Sequence, residues 1–527
     1  MAFKYFRYPI DFALALLSSL LLVVSFPKFD LGFLAWISLL PLLVAINEKS
    51  LKYSFFLSFA SGMVSFFGIF HWILVVPNYT LIHHLLLAIY LGSYFGVFGL
   101  VFSFISRSWG TTPILFGAPF IWVSLEYLRS NLSFLALPWG LLGHSQYKYP
   151  LVTQITSFAG TYSISFLIVM VNCALMAIIL PFLYRSEKYA LVSNKGRRSL
   201  VIITTSLVIF TLIYGKLITS QKIIGNEIKI SVVQGNIEQV KKWDPGYALE
   251  IMRIYKELTQ EASKSQPTLI IWPETATPGL ITRDPSLHTE VKKIAKETSA
   301  YFLIGSAQHQ KFKGKGDKRS KYFNSAFLIH PDFQVLRHQR YDKILLFPFG
   351  EYLPFKDTIP WSVLNVRETG DYTAGEKFTV FDYPQSRFGV TICWEDVFPD
   401  LFRQFVKRGA QFMVNITNEA HFGRTAAPYQ LLSISVFRAV ENRVFVVRCA
   451  NTGVSCIIDP YGRIVDRVKD EKGQDTFVRG MMSGWIIPLD SKTIYTQYGD
   501  VLVWVAIVGS AVFLVVGILK GRKKSLS

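Results

Sequence analysis

Cysteine is scarce in this chain, and the residue patterns that hold metal ions are missing from it. Four cysteines are spread over 527 residues, and the sequence has neither the paired cysteines of a zinc site nor a His-x-x-x-His pattern. We therefore expect no metal and no other cofactor. Cys173 lies in an apolar run and is expected in a packed core. Cys449 and Cys456 flank a strand-turn-strand segment, where core packing is favoured and a disulfide stays open.

Charged residues are also few, at 17% of the chain, against 51% hydrophobic residues and a mean hydropathy of +0.33. That balance excludes an ordinary soluble protein. Apolar runs of about 20 residues can cross a bilayer as helices. The sequence predicts eight transmembrane helices, at 11–27, 31–47, 54–76, 82–105, 112–128, 160–183, 199–215 and 499–519. A small-x-small cleavage pattern is missing after the first run, which favours a retained helix over a signal peptide.

Acidic residues are outnumbered by basic ones, 36 against 55, which gives a formal charge of +19. Such a charge can indicate nucleic-acid binding, so its distribution has to be considered. If the N-terminus is cytoplasmic, the basic residues of the cytoplasmic segments are Lys4, Arg7, Lys49, Lys52, Arg107, Arg185, Lys188, Lys195, Arg197, Arg198, Lys520, Arg522, Lys523 and Lys524, and those of the opposite short loops are Lys28, Arg129 and Lys148. This bias predicts that both termini are cytoplasmic and argues against nucleic acid as a partner.

Residues 216–498 contain no run long enough to span a membrane and are predicted to form an α/β domain outside the cytoplasm. Residues 1–215 and 499–519 then form the membrane domain, and 520–527 form a basic cytoplasmic tail. Predicted strands lie at 228–234, 268–272, 301–306, 324–330, 387–393, 411–416, 443–449 and 454–458, and predicted helices at 246–264, 285–299, 395–408 and 428–442. Their alternation is typical of a layered α/β fold. Residues 307–322, rich in glycine and lysine, are expected to form an exposed loop.

Cys393 follows the apolar strand pattern Phe388-Gly-Val-Thr-Ile and precedes a helical pattern. This arrangement predicts a thiol on a strand-to-helix elbow, where the helix N-terminus favours the thiolate. Glu274 ends the strand pattern Thr268-Leu-Ile-Ile-Trp-Pro, and Lys343 lies in strongly apolar surroundings. A base and a cation are what a cysteine nucleophile needs. Taken singly, however, each of the three residues is more often solvated or packed than catalytic.

Distinctive motifs surround these three residues and recur in the membrane part. They are Val233-Gln-Gly-Asn, Trp243-Asp-Pro, Trp272-Pro-Glu-Thr, Phe347-Pro-Phe-Gly-Glu-Tyr, Cys393-Trp-Glu, Asn415-Ile-Thr-Asn-Glu-Ala, Arg448-Cys-Ala-Asn-Thr-Gly, Leu137-Pro-Trp-Gly, Ser165-Phe-Leu and Asn172. The motifs resemble those of the nitrilase (carbon-nitrogen hydrolase) superfamily, and the membrane spans narrow the resemblance to its apolipoprotein N-acyltransferase family. The resemblance implies an αββα sandwich whose triad comprises a Glu274 base, a Lys343 oxyanion stabiliser and a Cys393 nucleophile.

Further residues are assigned by the same resemblance. Glu351 and Glu395 would support the triad. The residues expected to bind substrate are Trp243, Trp394, Asn415, Asn418, His421 and Trp139. Two of them depart from the family pattern, because His421 stands where tryptophan is frequent and Trp394 where tyrosine is frequent.

The resemblance implies a two-step acyl transfer in the bacterial cytoplasmic (inner) membrane, with the catalytic domain on its outer, periplasmic face. A phospholipid would donate its acyl chain to Cys393, and a diacylglyceryl-lipoprotein would accept it on the amine of its lipidated N-terminal cysteine. We expect a monomer. The apolar segment 344–365, with the loop around Trp139, is expected to form a mobile rim for both lipids.

Two other functions stay open on the residues. A membrane-anchored amidase would use the same triad on a small amide, but a single helix would suffice as its anchor. A non-catalytic lipoprotein-binding module would have no need to retain Glu274, Lys343 and Cys393.

Overall fold

The computed structural model describes residues 7–183, 192–242, 244–311, 320–331, 335–356, 358–359, 361, 370–384, 386–490 and 492–526. The chain divides into two compact units, Met1–Gln221 with Tyr498–Ser527, and Lys222–Gln497.

The first unit is helical. Its α-helices are α1 Arg7–Val24, α2 Ala35–Ser38, α3 Leu40–Ile46, α4 Leu51–Ile69, α5 Leu81–Ser108, α6 Thr111–Asn131, α7 Pro150–Thr153, α8 Thr156–Ala159, α9 Tyr162–Leu183, α10 Asn194–Thr219 and, at the other end of the chain, α17 Val501–Leu526. Helical residues therefore lie over each of the eight predicted apolar runs.

Among the described residues, four helical stretches are both long and apolar enough to cross a membrane: Leu81–Ser108, Tyr162–Phe182, Asn194–Thr219 and Val501–Lys524. Tyr8–Val24 and Gly32–Ile46 are apolar but shorter. Polar residues lower the hydropathy of the other two, since α4 carries Lys52 and four serines, and α6 carries Glu126 and Arg129. The count of eight spans therefore stays a prediction.

The second unit contains two six-stranded sheets. The strands are β1 Ile228–Gln234, β2 Leu269–Ile271, β3 Tyr301–Lys311, β4 Ser320–Ile329, β5 Val335–Asp342, β6 Val380–Tyr383, β7 Ser386–Ile392, β8 Phe412–Thr417, β9 Phe445–Ala450, β10 Cys456–Ile458, β11 Ile464–Arg467 and β12 Gly480–Ile486. One sheet has the order β12-β1-β2-β3-β4-β5 and the other β11-β10-β9-β8-β7-β6. Strands β1 to β3 pair in parallel, as do β7 to β9, and the other pairs are antiparallel.

The two sheets pack face to face. The Cys449 Sγ atom on β9 lies 3.3 Å from the carbonyl oxygen of Ile271 on β2 and 3.5 Å from that of Val233 on β1. Helices follow the parallel strands: α11 Gln239–Lys242, α12 Ala248–Ser263, α13 Pro285–Thr298, α14 Pro399–Lys407 and α15 Ala427–Asn442, with α16 Ile494–Tyr498 after the last strand. The α/β sandwich predicted from the sequence is confirmed. All four cysteines are free, so no disulfide joins Cys449 and Cys456.

A tryptophan at the end of β2 anchors the outer layer of the first sheet. The fully buried Trp272 ring stacks on Tyr255 of α12 at 4.8 Å, and its Nε1 donates a hydrogen bond to Thr259 at 3.0 Å. Stacking of this kind contributes about 1 kcal/mol beyond the burial of area. The chain then continues directly into Pro273 and Glu274. The packing of Trp272 therefore fixes the backbone position from which the Glu274 side chain extends.

One expectation about loops is wrong in part. Residues 307–311 lie in β3 and 320–322 in β4, which pair in antiparallel register, so they belong to a hairpin and not to a loop. Residues 312–319 lie outside the described residues.

Candidate active site

Cys393 occupies a strained elbow directly after β7. Its backbone φ is +58°, a left-handed conformation that costs a non-glycine residue roughly 1 to 3 kcal/mol. A five-residue 3-10 helix, Cys393–Val397, begins there. The Asn415 Nδ2 atom on the neighbouring strand β8 donates to the Cys393 carbonyl at 3.0 Å and thereby holds this conformation. The predicted elbow is confirmed, and Cys393 as a whole residue is partly exposed.

The helix N-terminus was expected to favour the Cys393 thiolate, but the net effect of the surroundings is the opposite. Burial raises the pKa of Cys393 well above its ordinary value, the carboxylate of Glu274 raises it further, and Lys343 only partly opposes them. A single 3-10 turn offers little dipole against these effects. The resting thiol is therefore protonated, so the site needs a base to take its proton.

Glu274 follows β2 and presents a buried carboxylate to the site, with 7% of the residue exposed. Its Oε1 accepts from Asn324 Nδ2 at 2.7 Å, and its Oε2 accepts from the backbone N–H of Asn418 at 2.8 Å. Gly305 allows β3 to lie directly against the backbone at Glu274, because a Cβ atom at position 305 would lie 2.7 Å from the Glu274 Cα. The carboxylate is thus fixed from two sides.

Lys343 comes directly after β5 and is 1% exposed. Its Nζ lies 2.8 Å from Glu351 Oε2 and 3.8 Å from Glu274 Oε1. Burial lowers the pKa of Lys343, but the charges of Glu351, Cys393 and Glu274 more than reverse this, so the pKa is raised. The ammonium is therefore permanently charged and lies between the two carboxylates.

Further hydrogen bonds hold the Glu351 carboxylate beside Lys343. Its Oε2 also accepts from the Phe347 backbone N–H at 2.7 Å, and its Oε1 accepts from Asn324 Nδ2 at 3.0 Å. Asn324 on β4 thus bridges Glu274 and Glu351 with one amide group. The sequence reasoning missed Asn324, because an isolated asparagine in a strand pattern gives no signal of its own.

Glu395 lies beneath the site and is fully buried. Its carboxylate accepts from the Tyr341 hydroxyl at 2.8 Å and from the backbone N–H groups of Ile344, Leu345 and Ile392 at 2.7, 3.0 and 2.8 Å. Burial raises its pKa to about 7, although the hydrogen bonds lower it. Glu395 therefore joins the segment after Lys343 to the strand before Cys393.

The residues predicted to bind substrate lie in different environments. Trp394 is 6% exposed, donates from Nε1 to the Leu345 carbonyl at 2.8 Å, and packs edge-on against Phe347. His421 is partly exposed in the 3-10 turn Ala420–Phe422. Burial lowers the pKa of His421 to about 4, and the positive charges of Lys242 and Lys343 contribute, so its imidazole is neutral and close to the triad.

The two predicted asparagines are engaged within the protein. Asn415 is fully buried, and its amide group joins Cys393 and Thr391 to a buried arginine, Arg448, whose Nη1 donates to Asn415 Oδ1 at 3.1 Å. Asn418 is 6% exposed, and besides its N–H bond to Glu274 it donates from Nδ2 to Gln239 Oε1 at 2.8 Å. Both arrangements help to hold Cys393 and Glu274 in place. Arg448 was quoted as part of a motif, but it was not predicted as a site residue.

The two remaining predicted tryptophans are Trp139 and Trp243. Trp139 belongs to the first unit, where it is 4% exposed, its ring lies 5.2 Å from that of Trp72, and its carbonyl accepts from Arg129 Nη1 at 2.9 Å. Trp243 lies outside the described residues.

The second unit therefore brings together a thiol, a carboxylate, a buried ammonium and a supporting carboxylate from four separate strand ends or loops. A carboxylate that takes the thiol proton creates the nucleophile, and an ammonium stabilises the oxyanion formed when a thiolate attacks an acyl carbon. The arrangement fits acyl transfer through a thioester.

Comparisons with known proteins agree with both units. The model of the apolipoprotein N-acyltransferase N-terminal domain matches residues 18–174, and the carbon-nitrogen hydrolase model matches residues 229–480. The solved structure of Saccharomyces cerevisiae Nit3, a member of branch 10 of the nitrilase superfamily, is 20% identical, with 53% of this chain and 96% of that chain covered and a TM-score of 0.38.

Two curated relatives match almost end to end. Apolipoprotein N-acyltransferase from Chlorobaculum tepidum is 28% identical over 540 residues, which cover 97% of each chain. That from Geobacter metallireducens is 36% identical over 524 residues, which cover 98% of this chain and 96% of the relative. With this identity over nearly its whole length, the chain belongs to the apolipoprotein N-acyltransferase family.

Proposed function

We propose that this enzyme moves an acyl chain from a membrane phospholipid to Cys393 and then to the α-amine of the diacylglyceryl-modified N-terminal cysteine of a lipoprotein. The observation that carries the proposal is the buried Lys343 ammonium, which lies 2.8 Å from Glu351 and 3.8 Å from Glu274 and interacts electrostatically with Cys393. Among the described cysteines, Cys393 is partly exposed and the other three are buried. Family membership supplies the lipoprotein as acceptor.

In the first step Glu274 takes the proton from Cys393 Sγ, and the thiolate attacks the ester carbonyl of the phospholipid. Lys343 stabilises the tetrahedral oxyanion, because its charge is fixed and buried where water screens it weakly. The proton held by Glu274 passes to the departing glycerol oxygen. The products are a lysophospholipid and a thioester on Cys393.

In the second step the acceptor amine attacks the thioester carbonyl. Glu274 accepts the amine proton as the C–N bond forms, Lys343 again stabilises the oxyanion, and the thiolate leaves and is reprotonated. The same two residues therefore serve both half-reactions. The thioester must meet an amine before water reaches it, so a rim that excludes water would favour transfer over hydrolysis.

The proposal includes the membrane arrangement inferred from charge. Eight spans, cytoplasmic termini and a catalytic domain formed by residues 216–498 on the outer face of the bacterial inner membrane would bring Cys393 to the leaflet that holds the lipidated protein. The fourteen-to-three bias of basic residues supports this orientation. We propose that the monomer is sufficient, because every member of the candidate triad comes from one chain.

The test is the intact mass of the purified protein after incubation with phospholipid, followed by addition of a synthetic diacylglyceryl lipopeptide. We expect a mass increment equal to one acyl chain, removable by hydroxylamine and mapping to Cys393. The lipopeptide should discharge it and gain the same mass. An increment on Cys449 or Cys456 would contradict the site assignment. Discharge to water with no gain on the lipopeptide would favour the amidase alternative.

Phe355, in the apolar segment 344–365, offers a test of the lipid rim. The residue is 58% exposed, whereas Trp361 is partly buried, packs edge-on against Phe349 and donates from Nε1 to the Pro354 carbonyl, which makes it less suitable for substitution. Phe355→Asp should lower kcat/KM for long-chain phospholipid roughly 10-fold, since burying a charge against lipid is costly. Val465→Asp, at an equally exposed valine on β11, should leave it unchanged. Equal activities of the two variants would contradict a lipid-facing rim.

A further inference from the structure

Lys242 is a second buried lysine near the candidate nucleophile, and neither motif nor position drew attention to it. It ends the short helix α11, after β1, and is 3% exposed. Its Nζ donates to the backbone carbonyl of Glu274 at 2.8 Å. Lys241, one residue earlier, points the other way: it pairs with Glu238 at 3.2 Å and its side chain is 37% exposed. Two adjacent lysines thus have opposite environments.

A buried ammonium costs folding free energy unless a nearby negative charge offsets it. The charges that act on Lys242 are those of Glu274 and Cys393, and both favour its ammonium form. Its one hydrogen bond among the described residues goes to a neutral carbonyl, so no carboxylate is bound to it directly. Burial of the Lys242 ammonium therefore carries an energetic cost that a negative charge on the Cys393 sulfur would reduce.

We propose that Lys242 is a second electrostatic residue of this active site, whose ammonium stabilises the Cys393 thiolate while Glu274 holds the proton. The step moves one proton from Cys393 Sγ to a Glu274 carboxylate oxygen and leaves a negative charge on sulfur. Lys343 pairs with Glu351 at 2.8 Å, whereas no carboxylate within the described part of the chain forms such a pair with Lys242. The inference rests on the proposed function, because it assigns Lys242 to the same nucleophile.

The charged and titratable groups around Cys393 define the expected pH behaviour. They are Glu274, Lys343, Glu351 and Glu419, with Lys242 and the neutral His421 on the facing segments. Burial lowers the pKa of Lys242 to about 8. Its charge is therefore present below about pH 8 and is lost above it, so its assistance to the thiolate should fade as the pH rises.

The test is the rate at which iodoacetamide alkylates Cys393 in the full-length protein between pH 6 and pH 10. Peptide mass spectrometry measures the alkylated fraction at each time point. Alkylation requires no acyl transfer, so its outcome is distinct from that of the function test. Lys242→Met should slow alkylation at pH 7.5 about 10-fold, the effect of one nearby opposite charge. Lys242→Arg should restore most of the rate, and the difference between Lys242→Met and wild type should narrow above pH 8.

Two variants separate the charge from other roles. Lys242→Gln retains an N–H donor for the Glu274 carbonyl but has no charge, so it should be as slow as Lys242→Met. Wild-type rates in Lys242→Gln would overturn the proposal, because a hydrogen bond alone would then explain the residue. Lys241→Met removes the same charge from the exposed neighbour and should leave the rate unchanged. Equal slowing by Lys241→Met, or alkylation of Lys242→Met at the wild-type rate, would also overturn it.

Discussion

Cys393→Ala protein is expected to carry no acyl group and to transfer none. Replacing the nucleophile removes the atom that forms the thioester, and Glu274 and Lys343 cannot substitute for it because neither forms a covalent intermediate in this scheme. Loss of a nucleophile in enzymes of this type lowers kcat by roughly 10⁴-fold or more. The measurements are the intact mass after incubation with phospholipid and the N-acylation of a lipopeptide.

Cys449→Ala is the matched control. Cys449 is fully buried between the sheets, where its Sγ atom lies against the carbonyl oxygens of Ile271 and Val233, so an acyl donor has no access to its thiol. Its replacement removes one buried sulfur and should cost roughly 1 kcal/mol of stability without affecting the acyl-enzyme. Acyl transfer that survives in Cys393→Ala and is lost in Cys449→Ala would reverse the assignment.

The sequence predicted the central strands of the domain and missed its edges. The four unpredicted strands, β5, β6, β11 and β12, are the outermost strands of the two sheets. A central parallel strand is buried on both faces and appears as an apolar run such as Phe412–Thr417, in which every residue is buried. An edge strand such as Ile464–Arg467 has exposed, charged positions and resembles a loop in composition.

The candidate site was predictable to the extent that it lies in motifs. Glu274, Lys343, Glu351, Cys393 and Glu395 are brought together as the resemblance implied. Lys242, Asn324 and Arg448 are positioned by burial and by contacts with residues distant in the sequence, and neither property can be read from a single residue type. The raised pKa of Cys393 was also unpredictable, because it depends on the nearby Glu274 carboxylate and on burial more than on the helix that follows.

A second large effect is expected at Arg448, whose side chain lies 1% exposed beneath the nucleophile elbow. Its guanidinium pairs with Asp396 at 2.8 Å and with Glu419 at 2.7 Å, and both carboxylates are fully buried. Removing the cation would leave two buried carboxylates without their ion-pair partner, which costs roughly 3 to 5 kcal/mol. Asn415 would also lose the donor to its Oδ1, and with it part of the support for the strained Cys393 backbone.

The pH dependence of this loss has a definite sign. Burial raises the pKa of Glu419 to about 7, and Arg448 opposes that effect. Without Arg448 the pKa rises further, so the folded protein holds the proton to higher pH. Protonation relieves the uncompensated charge, and the destabilisation should therefore be larger at pH 8 than at pH 5.5.

Arg448→Met should lower the Tm of the catalytic domain by roughly 10 °C at pH 8 and by less at pH 5.5. Both Tm values are measured by heating the detergent-solubilised full chain at pH 8 and at pH 5.5, with proteolysis of the domain as the readout of unfolding. Arg253→Met is the control, because Arg253 forms an exposed pair with Glu257 at 3.3 Å and exposed pairs contribute at most about 1 kcal/mol. A Tm loss in Arg448→Met no greater than that of Arg253→Met, or one that is larger at pH 5.5, would contradict this account, since an uncompensated buried charge must cost most when it is ionised.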